Sequence, residues 1–163
     1  PEDLGHALMG ALAYDDSVII QHWVEGVEVS VTILGAPGSE KVLPPVEIEV
    51  KEGIYDTDAR LETSRVNHFC PVRDESLAAL GSNVDNARVA LEQAACEVYR
   101  AYDCRDFARV DFIWDGHKVM VMGLKTFPGL TETSLVPMAI EAAGLKRDEV
   151  LAHLVVGALE RGN

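Results

Sequence analysis

Charged side chains whose spacing could support chemistry are concentrated in residues 107–138. In the first run, FARVDFIW, Arg109 and Asp111 alternate with apolar residues, so a β-strand would place both charged groups on one face and a core on the other. A second apolar run, the Pro128-Gly129 turn and a hydroxyl-rich helix start follow, an order in which a sheet delivers charged groups to an anion-binding helix N-terminus. The pattern is compatible with a cleft that binds an anion, but on these features alone an ordinary hairpin, loop and capped helix is the favoured interpretation.

The register of the predicted hairpin decides which side chains share that cleft. A two-residue connection at Asp115-Gly116 would oppose Asp111 to Met120 and mix the faces. A three-residue connection opposes Asp111 to Val121 and keeps both apolar sets together, so we expect it. Four residues then look into the cleft: Arg109, Asp111, Gly123 and Lys125.

The helix start after the Pro-Gly turn is a candidate binding site in its own right. Ser134 is a good N-cap for the apolar run that contains Leu135 and Met138, and Pro137 is tolerated in the first turn. The first backbone N–H groups of a helix have no acceptor within it, so a carboxylate or a phosphate could bind there.

The segments FARVDF and MGLKTFPGLTETSLVPM resemble the end of the ATP-grasp domain of D-alanine–D-alanine ligases, in which an Arg-x-Asp strand precedes Asn-Glu-x-Asn-Thr-x-Pro-Gly-x-Thr and Ser-Leu-x-Pro. Enzymes of this family form an acyl phosphate from ATP and one D-alanine, and the amine of a second D-alanine displaces the phosphate, with magnesium ions on the phosphates. The resemblance implies that Arg109 stabilises the transferring phosphate or the tetrahedral intermediate, and that Asp111 is a magnesium ligand. Ser134 and the Leu135 backbone would receive the carboxylate of the second substrate, and Gly129 is a further substrate-binding residue.

Two metal-ligand positions of the family pattern are altered. Gly123 stands where the family has a metal-binding glutamate, and Lys125 stands where it has a metal-binding asparagine. Magnesium prefers near-octahedral oxygen ligands that include one or two carboxylates, and of the expected set only Asp111 remains. The ammonium of Lys125 would repel a cation, and could pair with Asp111 or stand in for part of the metal's charge. We therefore expect weak magnesium binding and little or no ligase activity.

The resemblance also implies a nucleotide site in the first half of the chain. The linker whose backbone meets the adenine in the family corresponds to four residues: Gln21, His22, Trp23 and Val24. Glu28 matches the acid that holds the ribose, and Arg60, within IYDTDARL, matches a lysine that contacts the phosphates. Arginine is planar and forked, so that exchange is not neutral for a phosphate site. Without the resemblance, Glu28 reads as a solvated strand acid and Arg60 as a solvated loop residue.

Composition limits the partners of the chain. Its 163 residues are 48% hydrophobic and 25% charged, which is ordinary for a soluble globular domain. A net charge of −13 argues against a nucleic-acid partner, whereas a nucleotide needs only local positive groups. The sequence has no apolar run of membrane-spanning length and no secretory pattern, and its 3 cysteines lack metal-ligand spacing, so we expect a cytoplasmic protein with free thiols and no membrane partner.

The grouping of predicted elements favours an α+β fold, with helices packed on one face of a mostly antiparallel sheet. Helices are predicted over residues 2–13, 83–102 and 147–159, and strands over 17–23, 27–34 and 46–50 in addition to the hairpin. The resemblance implies that residues 1–163 form a single domain, the C-terminal subdomain of an ATP-grasp fold. The N-terminal substrate domain and the phosphate-loop subdomain of the family have no counterpart in this sequence, which leaves open whether the chain is a piece of a longer protein.

Three functions remain open from the sequence. The first is an ATP-dependent carboxylate–amine ligase of peptidoglycan precursor synthesis, in partial or divergent form, with ATP and magnesium as cofactors and amino acids as substrates. The second is a non-catalytic relative that keeps a nucleotide- or carboxylate-binding pocket. The third is a scaffold whose uncovered apolar sheet surface pairs with a second copy as a homodimer.

Overall fold

The computed structural model describes residues 3–36, 38–51, 53 and 63–162. The segment 54–62, which contains Arg60, lies outside the described residues, so the interpretation of that arginine stays a prediction. The regular elements, in chain order, are α1 (Leu4–Leu12), β1 (Val27–Leu34), β2 (Lys41–Val42), β3 (Val46–Val50), a 3-10 turn (Thr63–Arg65), β4 (Val66–Phe69), α2 (Asp74–Ala79), α3 (Val84–Ala101), β5 (Phe107–Trp114), β6 (Val119–Lys125), α4 (Leu135–Ala142) and α5 (Arg147–Gly162).

The strands form one antiparallel sheet in the order β4-β3-β1-β5-β6, with β2 paired to the end of β1. Strands β1 and β5 lie at its centre and pair along their whole length, from Val27 opposite Trp114 to Leu34 opposite Phe107. The predicted α+β class with a mostly antiparallel sheet is confirmed. Helices within the described ranges are all too short or too polar to cross a membrane.

Helix α3 covers one face of the sheet, as its apolar periodicity predicted. Its buried residues Leu91 and Tyr99 pack in one cluster with Val31 of β1 and Val110 of β5. The helix begins at Asn83, whose side chain accepts a hydrogen bond from the Asn86 backbone N–H. This face therefore carries the main core and is closed to ligands.

Among the described elements, α4 covers the opposite face of the sheet at one end. Leu135 and Ile140 of this helix pack with Val46 and Ile48 of β3 in a second apolar cluster. Residue pairing places Val46 beside Ser30, so this cluster lies on the face away from α3. The sheet thus has a helix on each side, and the part of the second face that α4 leaves uncovered contains the charged residues of β5 and β6.

The predicted strand over residues 17–23 is wrong. These residues have no regular structure, and Ile19 and Trp23 are 86% and 68% exposed. Their β-branched and aromatic composition gives only propensity, and a strand also needs a neighbour for its backbone hydrogen bonds. None of the described strands pairs with this segment.

The hairpin register also differs from the prediction. Asp111 lies opposite Gly123, not Val121, and a β-bulge between Asp111 and Phe112 then brings Phe112 opposite Val121. The connection is a tight turn in which Asp115 Oδ1 accepts hydrogen bonds from the backbone N–H groups of His117 and Lys118. A shift of two residues keeps side chains on their faces, so four side-chain positions still face the same side: Arg109, Asp111, Gly123 and Lys125.

Candidate functional site

A cleft of about 810 Å³ occupies the open face of the sheet. Its floor is formed by β1, β3, β5 and β6, and the irregular segment 21–26 forms a wall. The sequence-predicted residues that line it are Gln21, His22, Trp23, Val24, Glu28, Asp111, Gly123 and Lys125. Residues from distant parts of the chain, predicted for the nucleotide and for the metal, are therefore brought to one cavity.

A smaller pocket of about 300 Å³ lies beside the cleft, between β5, β6 and the start of α4. The residues predicted to bind the second substrate, Gly129, Ser134 and Leu135, line it together with Arg109. Lys125 lines both cavities. The two cavities therefore meet at the C-terminal end of β6.

Asp111 is held at the floor by several donors. Arg109 donates from Nε and from a terminal nitrogen to the two carboxylate oxygens, both at 2.9 Å, and the Ser30 hydroxyl donates to Oδ1 at 2.9 Å. Both Arg109 and Asp111 are buried. Burial alone would raise the pKa of Asp111, but the hydrogen bonds from Arg109 and Ser30 and the charges of Arg109 and Lys125 hold it below its usual value.

Lys125 completes a compact group of charges. Its Nζ lies 3.5 Å from Asp111 Oδ2, and its side chain is 36% exposed, so the ammonium also reaches the cleft. Arg109, Asp111 and Lys125 together carry one net positive charge. Such a group of partly buried donors is suited to an anion such as a phosphate or a carboxylate.

The residues of the cleft do not fit a magnesium ion. Magnesium needs several oxygen ligands, whereas both oxygens of Asp111 already accept from Arg109, and two cationic side chains lie beside them. Glu25 and Glu28 line the same cleft. Nevertheless, no group of three His, Cys, Asp or Glu side chains in the described part of the chain could hold a metal ion.

Glycine at position 123 is not required by packing. A Cβ atom added to Gly123 would meet nothing within 4 Å, and the backbone there lies outside the left-handed region. A larger side chain would project into the cleft beside Asp111, its cross-strand neighbour. Lack of space is therefore not the reason why position 123 carries no glutamate.

The start of α4 lies at the edge of the smaller pocket, which Ser134 and Leu135 line. Ser134 is the N-cap residue, as predicted, but its hydroxyl makes no capping hydrogen bond and instead lies 2.8 Å from Thr131 Oγ1. Gly129 approaches this pair closely, because an added Cβ would lie 2.8 Å from Ser134 Oγ. The loop is thus folded tightly around a helix N-terminus that faces Arg109 and Lys125.

Sequence reasoning missed several polar residues at the site, among them Ser30, which donates to Asp111. The alternation of β1 places Ser30 on the face of Glu28, but its contact with Asp111 depends on β1 pairing with β5. These strands are about 80 residues apart in the sequence, and periodicity contains no information about such a pairing. Among the other missed lining residues are Glu25, Ile48 and Met122.

The thiols lie away from this chemistry. Cys70, Cys96 and Cys104 are free, as predicted, and none of them lines the cleft or the smaller pocket. Burial raises the pKa of Cys70 to about 11, and it also raises the pKa of the other two thiols. All three therefore stay protonated near neutral pH and are poor nucleophiles.

Known proteins are similar to this chain in sequence. Residues 1–156 match the domain family described as D-ala D-ala ligase C-terminus. The chain is 32% identical over 163 residues to a D-alanine–D-alanine ligase of Alcanivorax borkumensis and 31% identical over 162 residues to one of Halalkalibacterium halodurans, covering 99% and 98% of this chain. It covers only 48% and 50% of those proteins, so the chain spans about half the length of these relatives.

Solved structures share the fold. The D-alanine–D-alanine ligase of Bacillus anthracis superimposes with a TM-score of 0.75 at 22% identity over 98% of this chain and 49% of that protein. Its complex with ATP gives a TM-score of 0.74 at 23% identity, covering 98% of this chain and 48% of that protein. The VanG D-Ala:D-Ser ligase of Enterococcus faecalis gives a TM-score of 0.73 at 25% identity, covering 95% of this chain and 43% of that protein.

Proposed function

The chain belongs to the family of D-alanine–D-alanine ligase C-terminal domains, and on that premise we propose that it keeps the nucleotide and acceptor sites of an ATP-dependent carboxylate–amine ligase but is impaired in catalysis. The observation that supports this proposal is the junction of the two cavities at Lys125, beside Asp111 and Arg109. The chain presents binding groups for both substrates there. Among the described residues it presents no set of acids for a metal.

The large cleft would bind ATP. Segment 21–24 would contact the adenine through its backbone, and Glu28 would accept hydrogen bonds from the ribose hydroxyl groups. The mixed lining, with Ile48 and Ile113 under the polar wall, is typical of a site for a flat base with a polar edge. Arg60 would add a phosphate contact from the segment 54–62.

The smaller pocket would bind the carboxylate of an amino acid, D-alanine by family membership. The N-terminus of α4 offers backbone N–H groups, and Arg109 and Lys125 add positive charge on the other side. Arg109 would also stabilise the negative charge of the transferring phosphate, because its guanidinium is fixed in place by Asp111. Ligation would then join the amine to the activated carboxyl group where the cavities meet.

Catalysis would be weak because charge neutralisation at the phosphates is incomplete. Phosphoryl transfer depends on positioning and on cations around the phosphate oxygens, and the loss of one such group typically costs about 10²–10³ in rate. Gly123 contributes no ligand, and Asp111 is engaged by Arg109 and Lys125. We expect phosphate release from ATP in the presence of D-alanine to be slower by at least this factor than in a family member that has both acids.

Tryptophan fluorescence offers a direct test of binding. Trp23 lines the cleft and is largely exposed, whereas Trp114 is buried and donates its Nε1–H to Ser82. Titration with ATP should change the emission of Trp23, and Trp23→Phe should abolish the change while leaving the Trp114 signal. Glu28→Gln should weaken ATP binding, and Glu92→Gln, on the exposed side of α3, should not.

Two results would contradict the proposal. One is the absence of any fluorescence or calorimetric response to ATP up to millimolar concentrations. The other is phosphate release with ATP, magnesium and D-alanine at the rate of a fully active ligase, which would show that the catalytic function is intact. L-alanine serves as the matched control for the acceptor.

A further inference from the structure

We propose that the ammonium group of Lys125 supplies the positive charge that a divalent cation would otherwise bring, so that the cleft binds a nucleoside triphosphate without metal. This inference rests on the proposed nucleotide-binding function and specifies its ionic requirement. It follows from the position of Lys125, from the charges around it and from the engagement of Asp111.

The position of Lys125 is the first argument. Its side chain lines both the cleft and the smaller pocket, so any group transferred between their ligands passes beside its Nζ. In phosphoryl-transfer sites, cations lie at this place because the charge of the phosphate oxygens must be neutralised there. A lysine is a flexible point charge with three N–H donors and can contact several oxygen atoms in turn.

The charge order along the open face is the second argument. Three rows of cross-strand neighbours lie in sequence on this face: Thr32, Arg109 and Lys125 in the first; Ser30, Asp111 and Gly123 in the second; Glu28 and Ile113 in the third. The positive row is four residues of β1 away from Glu28, roughly 13 Å at the rise of a strand. A nucleotide with its ribose at Glu28 would therefore extend its phosphate chain toward Lys125 and Arg109.

The engagement of Asp111 is the third argument. Both of its oxygens accept from Arg109, Ser30 donates to one, and Lys125 lies 3.5 Å from the other. A metal ion at Asp111 would have to displace these donors and would then lie against two cationic side chains. In a protein with a net charge of −13, this local positive group is also what an anionic ligand needs in order to approach.

The test measures ATP binding to the 163-residue chain in EDTA and in excess magnesium, by calorimetry and by Trp23 emission. The expected dissociation constants agree within about twofold, because the site uses charge from the chain itself. Lys125→Gln should weaken binding in EDTA by about tenfold or more, since it removes a charged hydrogen-bond donor. Lys118→Gln, which alters an exposed lysine in the β5–β6 turn, is the matched control and should leave binding unchanged.

A variant designed to make ATP binding dependent on magnesium completes the experiment. Gly123→Glu combined with Lys125→Asn exchanges the internal cation for oxygen ligands, and the open space at Gly123 accommodates the glutamate. ATP binding by this variant should be weak in EDTA and at least about tenfold tighter with magnesium. Thermal unfolding of each variant identifies one that has failed to fold.

The outcomes separate the two proposals. Two results would show that Lys125 does not replace a cation: magnesium tightens ATP binding by the wild-type chain tenfold or more, or Lys125→Gln binds ATP in EDTA as well as the wild type does. In either case the proposed nucleotide-binding function stands. If the folded wild-type chain binds ATP under neither condition, the proposed function itself is wrong.

Discussion

The Ser30 hydroxyl donates a hydrogen bond to Asp111 Oδ1 across the central pair of strands, with 2.9 Å between the oxygen atoms. Arg109 holds the same carboxylate from its own strand, so Asp111 is fixed by neighbours in the chain without any ligand. A buried carboxylate that is paired in this way positions the guanidinium beside it, and the loss of either partner would leave a buried charge uncompensated. Under the proposed function, Asp111 would therefore position Arg109.

Replacement of Asp111 should reveal this structural role. Asp111→Asn leaves the buried Arg109 charge without its counterion and should lower the free energy of unfolding by about 3 kcal/mol at neutral pH. The double variant Arg109→Met with Asp111→Leu should be less destabilised than Asp111→Asn, because no buried charge remains unpaired. Urea denaturation of the three proteins measures these differences.

The same comparison has a defined pH dependence. Burial by itself would raise the pKa of Asp111 in the folded chain, but Arg109, Ser30 and Lys125 lower this pKa below its usual value. An acid with a lowered folded pKa contributes stability that is present above its unfolded pKa of about 4 and is lost as the pH falls through the folded value. The stability gap between the wild type and Asp111→Asn should hence shrink below about pH 4; a constant gap down to pH 2 would contradict this account.

The sequence was informative where local periodicity decides the structure. The alternation of β1 and β5 and the stripe of α3 follow from the spacing of their apolar residues, and all three elements form as predicted. The bulge beside Asp111 and the irregular path of residues 17–23 were not predicted, because they depend on which backbone groups find partners. Periodicity likewise predicted the shared face of Asp111 and Lys125 but not the contact of Asp111 with Ser30 of β1.

Tyr99 illustrates the same limit within a helix and gives a second prediction. The helix was predicted to run to residue 102, but α3 ends at Ala101, and Tyr102 is 71% exposed. Tyr99 is 0% exposed, and its hydroxyl donates to the Gly35 carbonyl at 2.7 Å. Tyr99→Phe should cost about 1 kcal/mol of stability because it removes this hydrogen bond, and Tyr102→Phe should have no measurable effect. Equal losses in a urea titration would count against the observed helix boundary.

The tight loop before α4 yields a third prediction. Gly129→Ala would place a Cβ atom 2.8 Å from Ser134 Oγ, so this hydroxyl would have to rotate away from Thr131 Oγ1, which lies 2.8 Å from it. Overpacking of this kind should cost about 1–2 kcal/mol and narrow the smaller pocket. The double variant Gly129→Ala with Ser134→Ala should recover most of the loss, because the clashing hydroxyl is gone. A double-mutant cycle measures the coupling, and purely additive effects would show that the two residues do not touch.

Thr32 and Ser30 are neighbours on the open face of β1 and make a matched pair for the last prediction. Among the described residues the buried Thr32 hydroxyl has no hydrogen-bond partner, so Thr32→Val removes an unsatisfied polar group and should be neutral or stabilising by about 1 kcal/mol. Ser30→Ala removes a donor to the Asp111 carboxylate and should cost about 2 kcal/mol. Both substitutions are nearly isosteric, so denaturant titration compares the two hydroxyl groups directly. If Thr32→Val is as destabilising as Ser30→Ala, the Thr32 hydroxyl has a partner in solution, and the open face around Arg109 is more polar than this structure describes.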